Sequence, residues 1–206
     1  MTERRLKDTA IFVCDLQDKF RNAIWQFDKI LLTAQKILRA AQILEIPVYA
    51  TTQNAAKLGG TVSELQPLLE NAAVQTDKTR FSMLVPPISD EFKQTSWQVI
   101  PRKVVILGIE SHICVTQTAL DLILLGHRVY VLADGVSSCN PQEVPVALAR
   151  LRQRGAIVTT SESWLYECMG DAAIPEFRDM AKLVKETGVE TKTALDALLS
   201  KALVDT

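Results

Sequence analysis

Apolar positions along this chain fall into two kinds of run that alternate from one end to the other. Short continuous runs read as buried strands: Ala10 to Asp15, Pro47 to Thr51, a weaker Ala73 to Asp77, Val104 to Leu107 closed by Gly108, Val129 to Leu132, and Ile157 to Thr159. Between them lie runs with helical spacing. Phe27 to Leu44 places Ile30, Leu31, Ala34, Ile37, Leu38, Ala41 and Leu44 on one stripe. Ile113 to Leu125 ends at Gly126, and Glu143 to Arg154 ends at Gly155, both helix-stop signals. A helical tail is expected from Pro175 to about Val204, broken near Gly188. Short apolar strands each followed by a helix imply a mostly parallel sheet covered on both faces. The fold class is therefore α/β. The expected form is a doubly wound, six-stranded, Rossmann-like sheet in the order 3-2-1-4-5-6.

No linker or repeat interrupts the alternation, so residues 1–206 read as a single domain with a helical C-terminal tail over 175–206. Gln53 to Thr79 is long, poorly periodic and contains Gly59 and Gly60; such segments are often functional. Apolar residues make up 48% and net charge is −1, a globular balance without the basic footprint of a nucleic-acid binder or the polybasic handle of a membrane-surface protein. No apolar run approaches the roughly 20 residues of a membrane span. The polar start, with Glu3 and Asp8, resembles neither a secretory signal nor a transit peptide, so a cytoplasmic protein is expected. The tail carries Ala194, Leu195, Leu198, Leu199 and Leu203, a stripe that suggests a homo-oligomer unless the tail packs on its own domain.

In open α/β sheets ligands lie beyond the carboxyl ends of the strands, where the strand order reverses. Two loops meet that condition, Asp15 to Gln17 and Gly108 to Cys114. Cys114 falls at a helix start, where unpaired N–H groups lower a thiol pKa and can hold an oxyanion. The alternative is a small buried hydrophobe, the usual lot of a cysteine. Asp15 is either a cap of the strand end or a general base. Lys78 belongs either to a solvated charge cluster or to a buried site where it stabilises negative charge. None of the four cysteines, Cys14, Cys114, Cys139 and Cys168, forms a C-x-x-C pair.

Three stretches together resemble the isochorismatase-like cysteine hydrolases, and most nearly the eukaryotic isochorismatase domain-containing proteins. They are Phe12 to Gln17 (FVCDLQ), Lys78 to Ser82 (KTRFS) and Leu107 to Asp121 (LGIESHICVTQTALD). The resemblance runs from Thr9 to about Lys185. It implies a catalytic trio of Asp15, Lys78 and Cys114. It also implies a cis peptide at Ile109–Glu110 that aims the N–H groups of Glu110 and Cys114 at a substrate oxyanion. The implied reaction is hydrolysis of a C–N bond in a small amide or ureide through a covalent thioester. Vinyl-ether hydrolysis and a non-catalytic interaction protein with a retained site are the alternatives, and a redox-sensing Cys114 shares the same low-pKa requirement. Nicotinamidases of this superfamily carry an Asp-x-His metal pair after the second strand. Here that stretch reads Thr52, Gln53, Asn54, Ala55, Ala56, so neither metal nor cofactor is expected. Gln17, Phe20, Trp25, Gln53 and Phe81 are candidates to line the pocket, with Gln53 a donor where the metal would sit. His112 is expected in a loop or interface, and His127 in a solvated turn.

Overall fold

The computed structural model describes residues 3–92 and 102–199. Six strands form one sheet: β1 (Thr9–Cys14), β2 (Val48–Gln53), β3 (Val74–Lys78), β4 (Lys103–Ile109), β5 (Arg128–Ser137) and β6 (Ile157–Thr159). Their order is β3-β2-β1-β4-β5-β6 and every pairing between them is parallel, as the sequence implied. The order reverses between β1 and β4, so the loops after these two strands open into one crevice. Helix α1 (Phe27–Ile43) follows β1. The short α2 (Ala55–Leu58) and α3 (Gln66–Leu69) fill the segment between β2 and β3, and α4 (Ile88–Phe92) follows β3. Helices α5 (Thr116–Leu124) and α6 (Glu143–Gln153) lead into β5 and β6. The chain then turns through α7 (Ser161–Met169), α8 (Phe177–Glu186) and α9 (Gly188–Leu198).

β1 is buried along its whole length, yet its side chains still alternate between two cores. Ile11 and Val13 join Val105 and Leu107 in the core beneath α1, α7, α8 and α9. Ala10, Phe12 and Cys14 join Val104 and Ile106 in the core beneath α4, α5 and α6. The α1 stripe foreseen from its spacing is buried, from Ile30 to Leu44. Each fully buried Leu or Ile contributes about 1.5–3 kcal/mol, so this helix fixes one face of the sheet.

Four readings from the pattern need correction. β5 continues past Leu132 to Ser137, because after a register shift it pairs again with β4, Gly108 with Val136 and Ile109 with Ser137; within it the buried Asp134 accepts from the Ser161 backbone N–H and hydroxyl. That carboxylate anchors the start of α7, a helix not assigned from the sequence although Trp164, Leu165, Cys168 and Met169 have helical spacing between the Thr160 cap and Gly170. The stretch before the expected third strand is not irregular throughout, since α2 and α3 lie within it. His127 is buried: its ring meets Phe92 edge-on, and its Nδ1 accepts the Arg102 N–H at 3.2 Å. In the tail, Ala194 and Leu198 are buried against the chain's own core, with Leu199 packed beside them. That part of the stripe does not await a partner, and Leu203 lies outside the described residues.

The approach of β4 to β1 is set by one residue. Gly108 has φ +117°, and a Cβ there would lie 2.1 Å from the Cys14 carbonyl oxygen. Gly108→Ala should lower stability by at least about 3 kcal/mol, by strain and backbone clash together. Gly60→Ala, at an exposed glycine with nothing within 4 Å, should change it by no more than about 0.5 kcal/mol. Urea unfolding of the two variants checks this; equal midpoints would mean that β1 and β4 need no such close contact.

Candidate active site

Asp15 leaves the end of β1 with φ 52°, and its N–H donates to Thr51 on β2 at 3.2 Å. This turn directs the carboxylate inward, where it is 1% exposed. Oδ1 accepts from the Thr51 hydroxyl at 2.7 Å, and Oδ2 accepts from Lys78 Nζ at 2.7 Å. Lys78 closes β3, and pairing in register with Gln53 of β2 brings the two side chains together. Its Nζ also donates to Gln53 Oε1 at 2.6 Å and lies 3.8 Å from Cys114 Sγ. Burial disfavours the Lys78 ammonium, but Cys14, Asp15 and Cys114 around it outweigh that cost and raise its pKa above the usual lysine value. A charged ammonium therefore sits between a carboxylate and a sulfur.

Cys114 lies within a π-helical turn, Ser111–Val115, that runs directly into α5. The sequence reading placed it at a regular helix start; the turn is wider than an α-turn. Thr118 returns its hydroxyl to the Cys114 carbonyl at 2.7 Å, which ties the turn to the first residues of α5. The peptide Ile109–Glu110 is cis. The second thiol nearby, Cys14, gives its hydrogen toward Asp15 Oδ2 at 3.6 Å. Burial, helped by Cys114 and Asp15, pushes the Cys14 pKa well above the thiol range, so it stays protonated at neutral pH.

A cavity of about 130 Å³ opens onto this cluster, lined by Asp15, Phe20, Gln53, Phe81, Ile109, Glu110, Ile113 and Cys114. Phe20, Gln53 and Phe81 reach it. Gln17 and Trp25 do not. Gln17 is buried and braces the loop after β2, donating to the Gly59 carbonyl at 2.6 Å and accepting the Gln53 N–H at 2.6 Å. Trp25 packs between the two cores and donates its backbone N–H to Ser138. Gln53 gives one Nε2 hydrogen to the Thr79 carbonyl at 2.9 Å and its Oε1 accepts from Lys78, which orients its amide at the cavity wall. The sequence reading missed Ile113 as a lining residue, although its place beside Cys114 was the available signal. His112 is half-buried after β4, with Nδ1 2.9 Å from Ser138 Oγ.

The isochorismatase domain model matches residues 9–163. Isochorismatase domain-containing protein 2 of Xenopus laevis is 41% identical over 87% of this chain and 85% of its own length. The secreted isochorismatase effector Isc1 of Phytophthora sojae is also 41% identical, over 86% of this chain and 85% of its own. Among solved structures, the MAR1 ribonuclease of Caenorhabditis elegans superposes with a TM-score of 0.79 at 40% identity, covering 86% of this chain and 90% of that one. The sheet order, the buried Asp15–Lys78–Cys114 cluster and these similarities converge: the chain belongs to the isochorismatase family of hydrolases.

Proposed function

We propose that this protein is a metal-independent cysteine hydrolase acting on a C–N bond of a small amide or ureide, with Asp15, Lys78 and Cys114 as its catalytic trio. The observation that carries this reading is the Lys78 ammonium, 2.7 Å from Asp15 Oδ2 and 3.8 Å from Cys114 Sγ, behind two residues that line the cavity. In the proposed reaction Asp15 takes the thiol proton of Cys114, and Lys78 supports the thiolate. Sulfur attacks the carbonyl carbon, and the N–H groups of Glu110 and Cys114 receive the oxyanion. The C–N bond then breaks, with Asp15 returning the proton to the leaving nitrogen. Water, deprotonated by Asp15, attacks the thioester; the C–S bond breaks, the acid leaves and the thiol is restored. The cavity is well below the roughly 300 Å³ at which drug-sized pockets begin, which favours a small substrate.

Vinyl-ether hydrolysis, the alternative reading of an isochorismatase-like site, has no use for a thiol in the position of Cys114. The ribonuclease named for the worm structure would need room for a polynucleotide, and the small cavity and net charge of −1 favour neither that substrate nor a nucleic-acid partner. We read the whole chain as one domain, since α8 and α9 continue the core over α1. Among the described residues no helix is long and apolar enough to cross a membrane. A reducing, cytoplasmic setting suits a protein whose four cysteines are all free.

Turnover of a panel of small amides and ureides tests the reading. At least one should be hydrolysed, and Cys114→Ser should lower its kcat by at least about a thousandfold. Chelator should leave that rate unchanged, and nicotinamide should not turn over. Hydrolysis of isochorismate or RNA with every amide left intact would sink the proposal.

Self-association is part of the same proposal. Its support is no longer the tail but Leu124 on α5 and Val146 on α6, neighbouring helices on which these side chains are 86% and 66% exposed. Light scattering should return a multiple of 22.9 kDa, and a value near 22.9 kDa would count against association.

A further inference from the structure

We propose that Glu110, His112 and Cys139 form a zinc-binding site at the rim of the cavity, separate from the Asp15–Lys78–Cys114 cluster. Their ligand atoms all lie within 4.8 Å of one another. Ligands of a tetrahedral zinc ion, bound at about 2.0–2.3 Å, stand roughly 3.3–3.7 Å apart, so modest side-chain movement would close the site. Carboxylate oxygen, imidazole nitrogen and thiolate sulfur are the three donor types zinc takes, and three protein ligands leave a fourth position for water.

The fold brings these residues together. β4 and β5 are parallel neighbours, and Ile109 pairs with Ser137 at their carboxyl ends. The next residues on each strand, 110–112 and 138–139, must therefore emerge side by side. Existing contacts hold the arrangement. The Cys139 N–H donates to Glu110 Oε2 at 2.8 Å. The buried Ser138 hydroxyl lies 2.9 Å from His112 Nδ1, which fixes the ring and is the kind of outer-shell partner that metal-bound histidines keep. Glu110 and His112 are half-buried and Cys139 is exposed, so an ion can enter from solvent.

A second cluster, Cys14, Asp15 and Cys114, is also compact enough for a metal. There the Lys78 ammonium already takes the cation's place, 2.7 Å from Asp15 and 3.8 Å from Cys114. No lysine or arginine pairs with Glu110 among the described residues, which leaves the rim site as the one open to a cation. On binding, the metal–sulfur bond forms as the Cys139 proton passes to solvent buffer. Because Glu110 also lines the cavity, the ion would stand at its mouth.

Cobalt(II), added to the purified full chain as a spectroscopic stand-in for zinc, tests the assignment through its thiolate charge-transfer absorption. One equivalent should saturate the band, one equivalent of zinc should abolish it, and magnesium should have no effect. Cys139→Ser should abolish the band with the circular dichroism unchanged, Ser138→Ala should weaken binding about tenfold, and Cys114→Ser should leave the band intact. Absence of a band in the wild-type protein, its survival in Cys139→Ser, or its loss in Cys114→Ser would overturn the site. The readout is independent of hydrolysis, so it stands or falls apart from the proposed activity.

Discussion

The structure is organised around a charge pair that has no access to water. The Lys78 side chain is fully buried and the Asp15 side chain nearly so, with 2.7 Å between Nζ and Oδ2. Removing either partner would strand a buried charge, a loss of about 3–5 kcal/mol, so the pair is tolerable only in a scaffold that positions both ends. Three adjacent strands do this. β1 delivers Asp15, β2 supplies the Thr51 hydroxyl and the Gln53 amide, and β3 ends on Lys78 in register with Gln53. A slip of one residue in β3 would turn Lys78 to the other face of the sheet and separate the charges. Sheet register and site chemistry are thus one constraint.

Whatever depended on apolar periodicity could be read from the chain. The strands of continuous hydrophobic character, the α1 stripe and the parallel order all follow from burial on two faces. α7 carries a signal of the same kind, in Trp164, Leu165, Cys168 and Met169 between Thr160 and Gly170, although no helix is assigned there from the sequence. What the pattern does not carry depends on polar groups satisfied inside, such as Asp134, buried within the extended β5 where it bonds Ser161. His127 looked solvated because a lone histidine after Gly126 resembles a turn, yet its ring is held by Arg102 and Phe92.

The same distinction holds at the site. The family resemblance points to Asp15, Lys78 and Cys114, which spacing alone does not single out, and the topology brings the three side chains together. Their neighbours were harder to assign. Gln17 and Gln53 are close to the trio in sequence, but their amides are already committed to backbone and lysine partners, and so shape the loop after β2. The triad of Glu110, His112 and Cys139 was invisible in the sequence because its members come from two strands that only the sheet makes neighbours. The crevice thus brings an ammonium beside Asp15 and Cys114, and donors of the zinc-binding types together at its rim. In the proposed reaction the ammonium serves the thiol chemistry.

In the proposed chemistry Cys114, with its sulfur 3.8 Å from the Lys78 ammonium, is the reactive thiol. This assignment can be set directly against accessibility, because Cys114 is 7% exposed whereas Cys139 lies on the surface. Limiting iodoacetamide at neutral pH, followed by peptide mass spectrometry in the presence of chelator, measures the order of modification. Cys114 should be alkylated first despite its burial, since the thiolate is the reacting form and the Lys78 ammonium lies 3.8 Å from this sulfur. Alkylation of Cys139 before Cys114 would contradict it.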